Sequence, residues 1–569
     1  MIQNKKLLVV AIITNLLLVL IAIYFKCFPT IISSQISNIF IFSLVFLLIF
    51  LLVYGAFLIQ TKIDAFLLLP QSLFITFIAR AIPNLRLSYP PLDDPYFYFG
   101  STQNILQFGT LEPVLGWWYF GTDSMLHWPL MHLFSTFLIN IPNLNSSQVF
   151  RFQEPFIGTI FFLFMFIFTR EITENYGVAL VSGLFASLSD IIIFYQAEYH
   201  SQGFAFFTTM LVMYAFVKSR KYTSRVGYRY LLILTIIAFC LSHYFVPLFL
   251  SILFITYLIF LLSIEIFNLF IIKKSLLKIS TNIKNDHNFL LIVILFSLSY
   301  HFLVYTSFLD SLMSLMSHSE VLNAPLVSTV ESRVPLFTSV LSAFKWGLFL
   351  LALVSILQVL VTKNPNEIRL SILIVCTLFA GIFGNYFIPM PLDRIIGFFI
   401  LFASVFASLT LFRLRKNNFL AAKKGIFLLF VLFASLILLA GFFNSQTPAY
   451  FFKDSNIDSY YYYSNRLPSM SQYKYAGDWI GYYTPNNSIY SSKYYSYMAI
   501  FYFTDKDKLF SSETFRNIPT KKNLSHYSLI NYEYASIDAK KTHSNMCDVY
   551  SEIYPLIYDS KELRLYKLT

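Results

Sequence analysis

The stretch Leu92-Asp93-Asp94-Pro95-Tyr96-Phe97-Tyr98-Phe99-Gly100 sets two adjacent carboxylates into a chain that is otherwise mostly apolar. Three apolar runs precede it, at 7–25, 38–60 and 63–81, each of the roughly 17–25 residues that a helix needs to cross a bilayer. Similar runs recur as far as Phe443 and amount to about thirteen spans. The first follows Lys5 and Lys6, exceeds the apolar part of a signal peptide and lacks an A-x-A site, so it reads as an uncleaved anchor. Beyond Phe443 the chain turns polar and Tyr-rich. Short segments at 488–490 and 499–503, set among Pro, Asn, Ser and Asp, point to a small α/β module there. The expected fold is therefore a polytopic α-helical membrane protein with a C-terminal α/β domain.

Composition supports this reading. Hydrophobic residues make up 57% of the 569-residue chain and charged residues 12%, against about 45–50% and about 25% in soluble proteins. An ordinary soluble enzyme, a disordered chain and a disulfide scaffold are excluded. The only cysteines, Cys27, Cys240, Cys376 and Cys547, form no CxxC pair for zinc or a cluster. The net charge of +12 raises the question of nucleic acid, but its distribution answers it. Lys218, Arg220, Lys221, Arg225 and Arg229 fill one connection between apolar runs. Lys273, Lys274, Lys278 and Lys284 fill another, and Arg413, Arg415, Lys416, Lys423 and Lys424 a third. This is the positive-inside pattern of cytoplasmic loops, and no nucleic-acid partner is expected.

With those loops inside, the N-terminus is cytoplasmic, and 83–125 and the C-terminal domain lie outside the plasma membrane. The sequons Asn145-Ser146-Ser147, Asn486-Asn487-Ser488 and Asn523-Leu524-Ser525 also fall on the outer side. No internal repeat is evident.

Four polar clusters then stand at outer span ends, where carboxylates need water, a metal or a cation. In the first, Asp94 can cap a helix that opens at Pro95 and ends near Gly109, which leaves Asp93 without a structural task. The second, Gln196-Ala197-Glu198-Tyr199-His200-Ser201-Gln202, forms a whole turn between two spans; Glu198 and His200 make either a divalent-metal half-site or a solvated loop. The third, Ser328-Thr329-Val330-Glu331-Ser332-Arg333, is either a capping box or a further ligand loop through Glu331. In the fourth, Pro389-Met390-Pro391-Leu392-Asp393-Arg394, the guanidinium of Arg394 either pairs locally or meets a lipid phosphate.

The order of these clusters resembles the GT-C superfamily of membrane glycosyltransferases, and in detail the archaeal oligosaccharyltransferase catalytic subunit. Asp94-Pro95-Tyr96 matches the family's Asp-Pro-aromatic motif in the first large outer loop. Glu198-Tyr199-His200 is similar to its Asp-x-His, with Glu for Asp, and Ser328-Thr329-Val330-Glu331 keeps the spacing and final Glu of its Thr-Ile-x-Glu. The resemblance covers about 63–443, making 1–62 two added N-terminal spans and 444–569 the outer domain. It departs at the acceptor-recognition motif Trp-Trp-Asp-Tyr-Gly, of which Gly477-Asp478-Trp479-Ile480-Gly481 is a loose echo.

The resemblance implies transfer of a sugar or oligosaccharide from a polyprenyl (dolichyl) phosphate donor to a glycan or protein acceptor at the outer face. It assigns Asp94, Glu198, His200 and Glu331 to a divalent cation, Asp93 to a base or orienting role, and Arg394 to the donor phosphate. Carboxylates with one imidazole suit Mg²⁺ or Mn²⁺. Two other classes stay open. A lipid-linked oligosaccharide flippase requires ionisable groups inside spans, for which Asp190 and Glu265 are the main candidates. A non-catalytic surface protein would bind partners through the Tyr-rich domain.

Overall fold

The computed structural model describes residues 5–27, 35–86, 129–141, 144–197, 201–222, 225–243, 245–267, 346–362, 392–416 and 424–444, five strands beyond residue 488, and isolated positions between these segments. The helices are α1 (Lys5–Cys27), α2 (Gln35–Ala56), α3 (Lys62–Arg86), α4 (Leu130–Asn140), α5 (Ser146–Thr173), α6 (Tyr176–Ser187), α7 (Asp190–Ala197), α8 (Ser201–Lys221), α9 (Val226–Cys240), α10 (Phe245–Phe267), α11 (Gly347–Thr362), α12 (Leu392–Lys416) and α13 (Lys424–Asn444). Leu-, Ile- and Phe-rich runs adopt this form because only a helix satisfies every backbone N–H and C=O within its own segment.

Among the described residues five helices are long and apolar enough to cross a membrane, or six if the bent pair α6 and α7 is one span. Shorter apolar helices include Phe40–Ala56, Leu130–Asn140, Val226–Cys240 and Gly347–Gln358. The spans expected within 268–345 and 363–391 fall almost wholly outside the described residues.

The chain divides into two compact units, one of Met1–Arg86 with Glu154–Phe452, the other of Leu87–Gln153 with Lys453–Thr569. In the first unit α1 packs on α2 and α3, α2 on α6 and α13, α3 on α6 and α7, α8 on α9, and α12 on α6 and α11. Aromatic rings carry much of this packing: Phe57 stacks on Phe412 at 4.3 Å and meets Phe427 edge-on at 5.0 Å. Phe398 of α12 touches both Phe206 and Phe249, at 5.1 and 5.0 Å.

Local capping fixes where the helices turn. Thr61 and Asp64 form a capping box at the start of α3: Asp64 Oδ2 accepts from Thr61 N–H at 3.0 Å, and Thr61 Oγ1 accepts from Asp64 N–H at 3.2 Å. Between α5 and α6, Glu174 takes a left-handed φ of 56° and the Asn175 side chain caps α6 by accepting from Val178 N–H.

One end of this unit gathers basic residues. Glu171 near the end of α5 accepts from Lys218 of α8 at 2.8 Å and lies 3.4 Å from Lys221. Arg415 at the end of α12 donates to the Phe57 carbonyl just past α2. The starts of α3 and α6 and the ends of α2, α5, α8 and α12 therefore share this end.

The second unit contains α4 and a five-stranded sheet of β1 (Ile489–Ser492), β2 (Leu509–Ser511), β3 (Tyr527–Asn531), β4 (Leu556–Asp559) and β5 (Leu563–Lys567). The strand order is β2-β1-β3-β5-β4, with β1 parallel to β2 and β3, and β5 antiparallel to β3 and β4. Of the two segments expected to form the α/β module, 488–490 overlaps β1 and 499–503 lies outside the described residues.

Candidate functional site

At the end of the first unit opposite its basic residues, a polar cluster is buried among four helices. Arg80, one turn from the end of α3, is fully buried. Its Nε and Nη2 both donate to Gln196 Oε1, at 3.0 and 2.8 Å. Nη1 donates to the Thr76 carbonyl and Nη2 to the Ser187 carbonyl, each at 2.8 Å. The Ser187 bond fills a carbonyl left open where α6 stops, because α7 departs at 64° and cannot supply the next N–H. One turn further along α3, Asn84 Nδ2 donates to the Ala197 carbonyl at 2.7 Å. Gln196 Nε2 in turn donates to the Gly203 carbonyl in the first turn of α8 at 3.3 Å.

Glycine makes this approach possible. A methyl at Gly158 of α5 would stand 2.9 Å from Gln196 Oε1 and closer still to Arg80 Nε. Glu154, one turn earlier on α5, is fully buried, and its Oε2 would lie 2.9 Å from a Cβ at Gly203. Gln196, Gln202, Asn84 and Ser187 are all buried. Such a cluster resists collapse, because each polar group moved without its partner forfeits a hydrogen bond in surroundings that offer no water.

This cluster brings together the stems of two expected site loops. Asn84 lies in the last turn of α3, which precedes Asp93 and Asp94 in sequence, and Ala197, whose carbonyl it holds, directly precedes Glu198. The end of α7 is thus held to α3 through Ala197 and to the first turn of α8 through Gln196 and Gly203. Asp93, Asp94, Glu198, His200 and Glu331 themselves lie outside the described residues. Arg394 has its backbone in the first turn of α12. Among the described residues no group of three His, Cys, Asp or Glu side chains is placed to hold a metal ion.

In the second unit, Tyr98, Thr102, Ile105 and Leu106 are helical. Gly109 stops that helix: its N–H donates to the Ile105 carbonyl at 2.9 Å with φ at +67°, where only glycine is unstrained. Helical structure thus stops at Gly109, while the expected start at Asp94-Pro95 lies outside the described residues. His132 of α4 is buried against it, with Nδ1 3.3 Å from Thr102 Oγ1 and its ring 5.5 Å from that of Tyr98. Sequence reading did not single out His132.

It also missed Arg80, Asn84 and Glu154. A signal was present, since an arginine inside an apolar run is costly unless it has buried partners, and Thr76, Arg80 and Asn84 repeat every four residues on one helix face.

A bent helix pair whose break is met by a buried arginine, within a bundle of long apolar helices, describes a helical membrane protein. Comparison with known structures narrows the fold. The chain has an AglB-like GT-C fold: the crystal structure of the apo oligosaccharyltransferase from Archaeoglobus fulgidus superposes with a TM-score of 0.51 at 13% identity, covering 90% of this chain and 75% of the other. A second structure of that enzyme, described as a complex with Zn and sulfate, gives 0.49 at 13% identity over 88% and 72%. A third, of A. fulgidus AglB with an inhibitory peptide and a dolichol-phosphate, gives 0.48 at 11% over 88% and 74%. No family model and no curated protein matches the sequence.

Proposed function

We propose that the chain is a membrane glycosyltransferase that moves a sugar or oligosaccharide from a polyprenyl-phosphate carrier to a glycan or protein acceptor at the outer face of the plasma membrane. The observation that supports this reading is the fold: the chain superposes on the Archaeoglobus fulgidus oligosaccharyltransferase over 90% of its length, with a TM-score of 0.51.

In this reading the end carrying Lys218, Lys221, Arg413 and Arg415 faces the cytoplasm, together with the N-terminus, and the Arg80 end faces outward. Residues 1–62 add two helices to a catalytic core at 63–443, and 444–569 form an outer domain. Asp94, Glu198, Glu331 and His200 are the ligand set, and three hard carboxylates with one imidazole fit Mg²⁺ or Mn²⁺. Such a cation, when bound, neutralises charge that develops on the leaving phosphate. Arg394 contributes to the same end through a charge-assisted bond to the donor phosphate. Asp93 orients the acceptor or takes its proton.

The test is Mn²⁺-dependent turnover of radiolabelled polyprenyl-phosphate sugars by the purified protein, wild type against Asp94→Asn and Glu198→Gln. Loss of turnover in both folded variants is expected. Unchanged turnover in either removes that residue from the site.

One observation favours a flippase instead: the span broken between Ser187 and Asp190 is a device that transporters use to line a path. Lipid transport in liposomes without any sugar transfer would decide for it.

A further inference from the structure

The outer face of α1 carries a polar group that the packing of the first unit leaves unexplained. Between Leu7 and Ile23 this helix is apolar apart from Thr14 and Asn15. Thr14 is buried and donates to the Ala11 carbonyl at 2.9 Å, whereas Asn15 is exposed. At about 1.5 Å per residue Asn15 stands about 15 Å along the helix from Lys5, near the middle of a hydrocarbon core of about 30 Å. Its Oδ1 accepts from Gln71 Nε2 of α3 at 3.1 Å, and its Nδ2 has no partner among the described residues. Gln71 Oε1 is buried and unpaired as well. Lipid chains offer no acceptor at that depth, so the hydrogen bonding of this pair is not closed within one chain.

The neighbours of Asn15 on that face supply a docking surface. Leu8, Ile12, Asn15, Val19 and Ala22 are all exposed and follow one another at intervals of four, three, four and three residues. A 3.5-residue period keeps one seam of a helix turned towards a parallel partner in a left-handed pair, and Asn15 is the central residue of this seam. From this we infer that α1 pairs through the seam with α1 of a second copy of the chain. The occupant follows from the amide, which is its own complement: Nδ2 donates, while Oδ1 has a second lone pair beside the one that Gln71 uses. A two-fold axis along the membrane normal brings the same residue of both copies to one depth, so two reciprocal bonds form without any further polar group. An unrelated helix would need a polar side chain of its own at that level. Leu8, Ile12 and Val19 then meet their own equivalents and leave lipid. The pairing requires only that α1 crosses the membrane, and it is independent of the glycosyltransferase reading.

The experiment uses the full-length protein in phosphatidylcholine liposomes. In one arm a cysteine is placed on the seam, as Ile12→Cys or Val19→Cys, or beside it, as Ile13→Cys or Leu20→Cys. The last two positions are exposed but lie about 100° further round the helix. Wild type, with its own four cysteines, sets the background. Oxidation is expected to give at least about fivefold more cross-linked dimer from 12 and 19 than from 13 and 20, because a disulfide forms only where Cβ atoms approach closely. In the other arm, energy transfer between donor- and acceptor-labelled copies is followed as the protein is diluted with lipid. Asn15→Leu is expected to raise the dissociation constant about tenfold; Asn15→Gln, and Gln71→Met with the Asn15 amide intact, are expected to raise it less than about threefold.

If Asn15→Leu does not fold, the cysteine arm, which keeps Asn15, decides. Monomers at every lipid ratio, or equal cross-linking from both faces, overturn the pairing. A dimer as tight in Asn15→Leu as in wild type overturns the role of the amide. Monomers in liposomes, with cysteines at 12 and 19 that capture a different membrane protein in native membranes, assign the face to that protein and overturn the second copy.

Discussion

Gly158→Ala is the smallest change that strikes the buried cluster. The added methyl would stand 2.9 Å from Gln196 Oε1 and 2.5 Å from Arg80 Cδ, with Arg80 Nε closer still, so one of these side chains must leave. Arg80 is fully buried and fixed by four hydrogen bonds, and its simplest retreat surrenders the two to Gln196 Oε1 at 3.0 and 2.8 Å. A bond to a charged group is worth about 1.5–3 kcal/mol in soluble proteins, whereas interhelical bonds in a membrane average about 0.6, so the pair costs about 1–4 kcal/mol. Overpacking adds about 1–3 kcal/mol, and replacing a helical glycine by alanine returns about 0.5–1. The net expectation is a loss of about 1–6 kcal/mol. Equilibrium unfolding in mixed dodecyl maltoside and SDS micelles measures it. Gly227→Ala and Gly425→Ala are internal standards, because nothing lies within 4 Å of a methyl at either site. They should match wild type or gain up to about 1 kcal/mol. If Gly158→Ala proves as stable as those two, the packing of α5 on Arg80 is wrong and the cluster with it.

Two further outcomes probe the rest of the first unit. Gly441→Ala should destabilise the protein by about 1–3 kcal/mol in the same assay, because its methyl would meet backbone at the break between α6 and α7, 3.0 Å from the Leu188 carbonyl carbon and 3.1 Å from Ser189 Cα. Backbone there cannot turn aside as a side chain can, so α13 has to back away. Glu171→Gln should cost about 1–2 kcal/mol, and Lys218→Met should cost less in that background than in wild type, because the 2.8 Å bond joins them; additive losses in a double-mutant cycle would show that they do not interact.

The helical membrane architecture was legible because its signal is local. A run such as 424–444 needs no distant partner to declare itself a helix, and Gly109 marks a helix stop by the one conformation that glycine accepts freely. The buried cluster was not legible in that way. Arg80 stands 116 residues from Gln196 and 107 from Ser187, so its partners could be found only by folding the chain. The break was similarly hidden. Ala186-Ser187-Leu188-Ser189-Asp190 lies inside a mainly apolar stretch, and its small polar residues bond locally, Ser189 Oγ to the Ala186 carbonyl and Ile191 N–H to Asp190 Oδ1. Sequence reading named Asp190 as a candidate ionisable group inside a span; it opens the second half of the bent pair. Of the residues assigned to the site, Asp93, Asp94, Glu198, His200 and Glu331 lie outside the described residues, while the groups nearest their loops were found only in three dimensions.

The two ends of the first unit handle charge in opposite ways, and the contrast bears on where chemistry belongs. At the basic end Lys221 is 36% exposed and its partner Glu174 is 74% exposed, so water shares their solvation and either can be lost at small cost. Arg80 has no such recourse. Its charge is tolerable only while the Thr76 and Ser187 carbonyls and Gln196 hold their places, and any drift of α3, α6 or α7 leaves a buried donor without an acceptor. That dependence makes the arrangement stiff as well as costly. The exposed pairs at the basic end impose no such stiffness, because water can replace either partner.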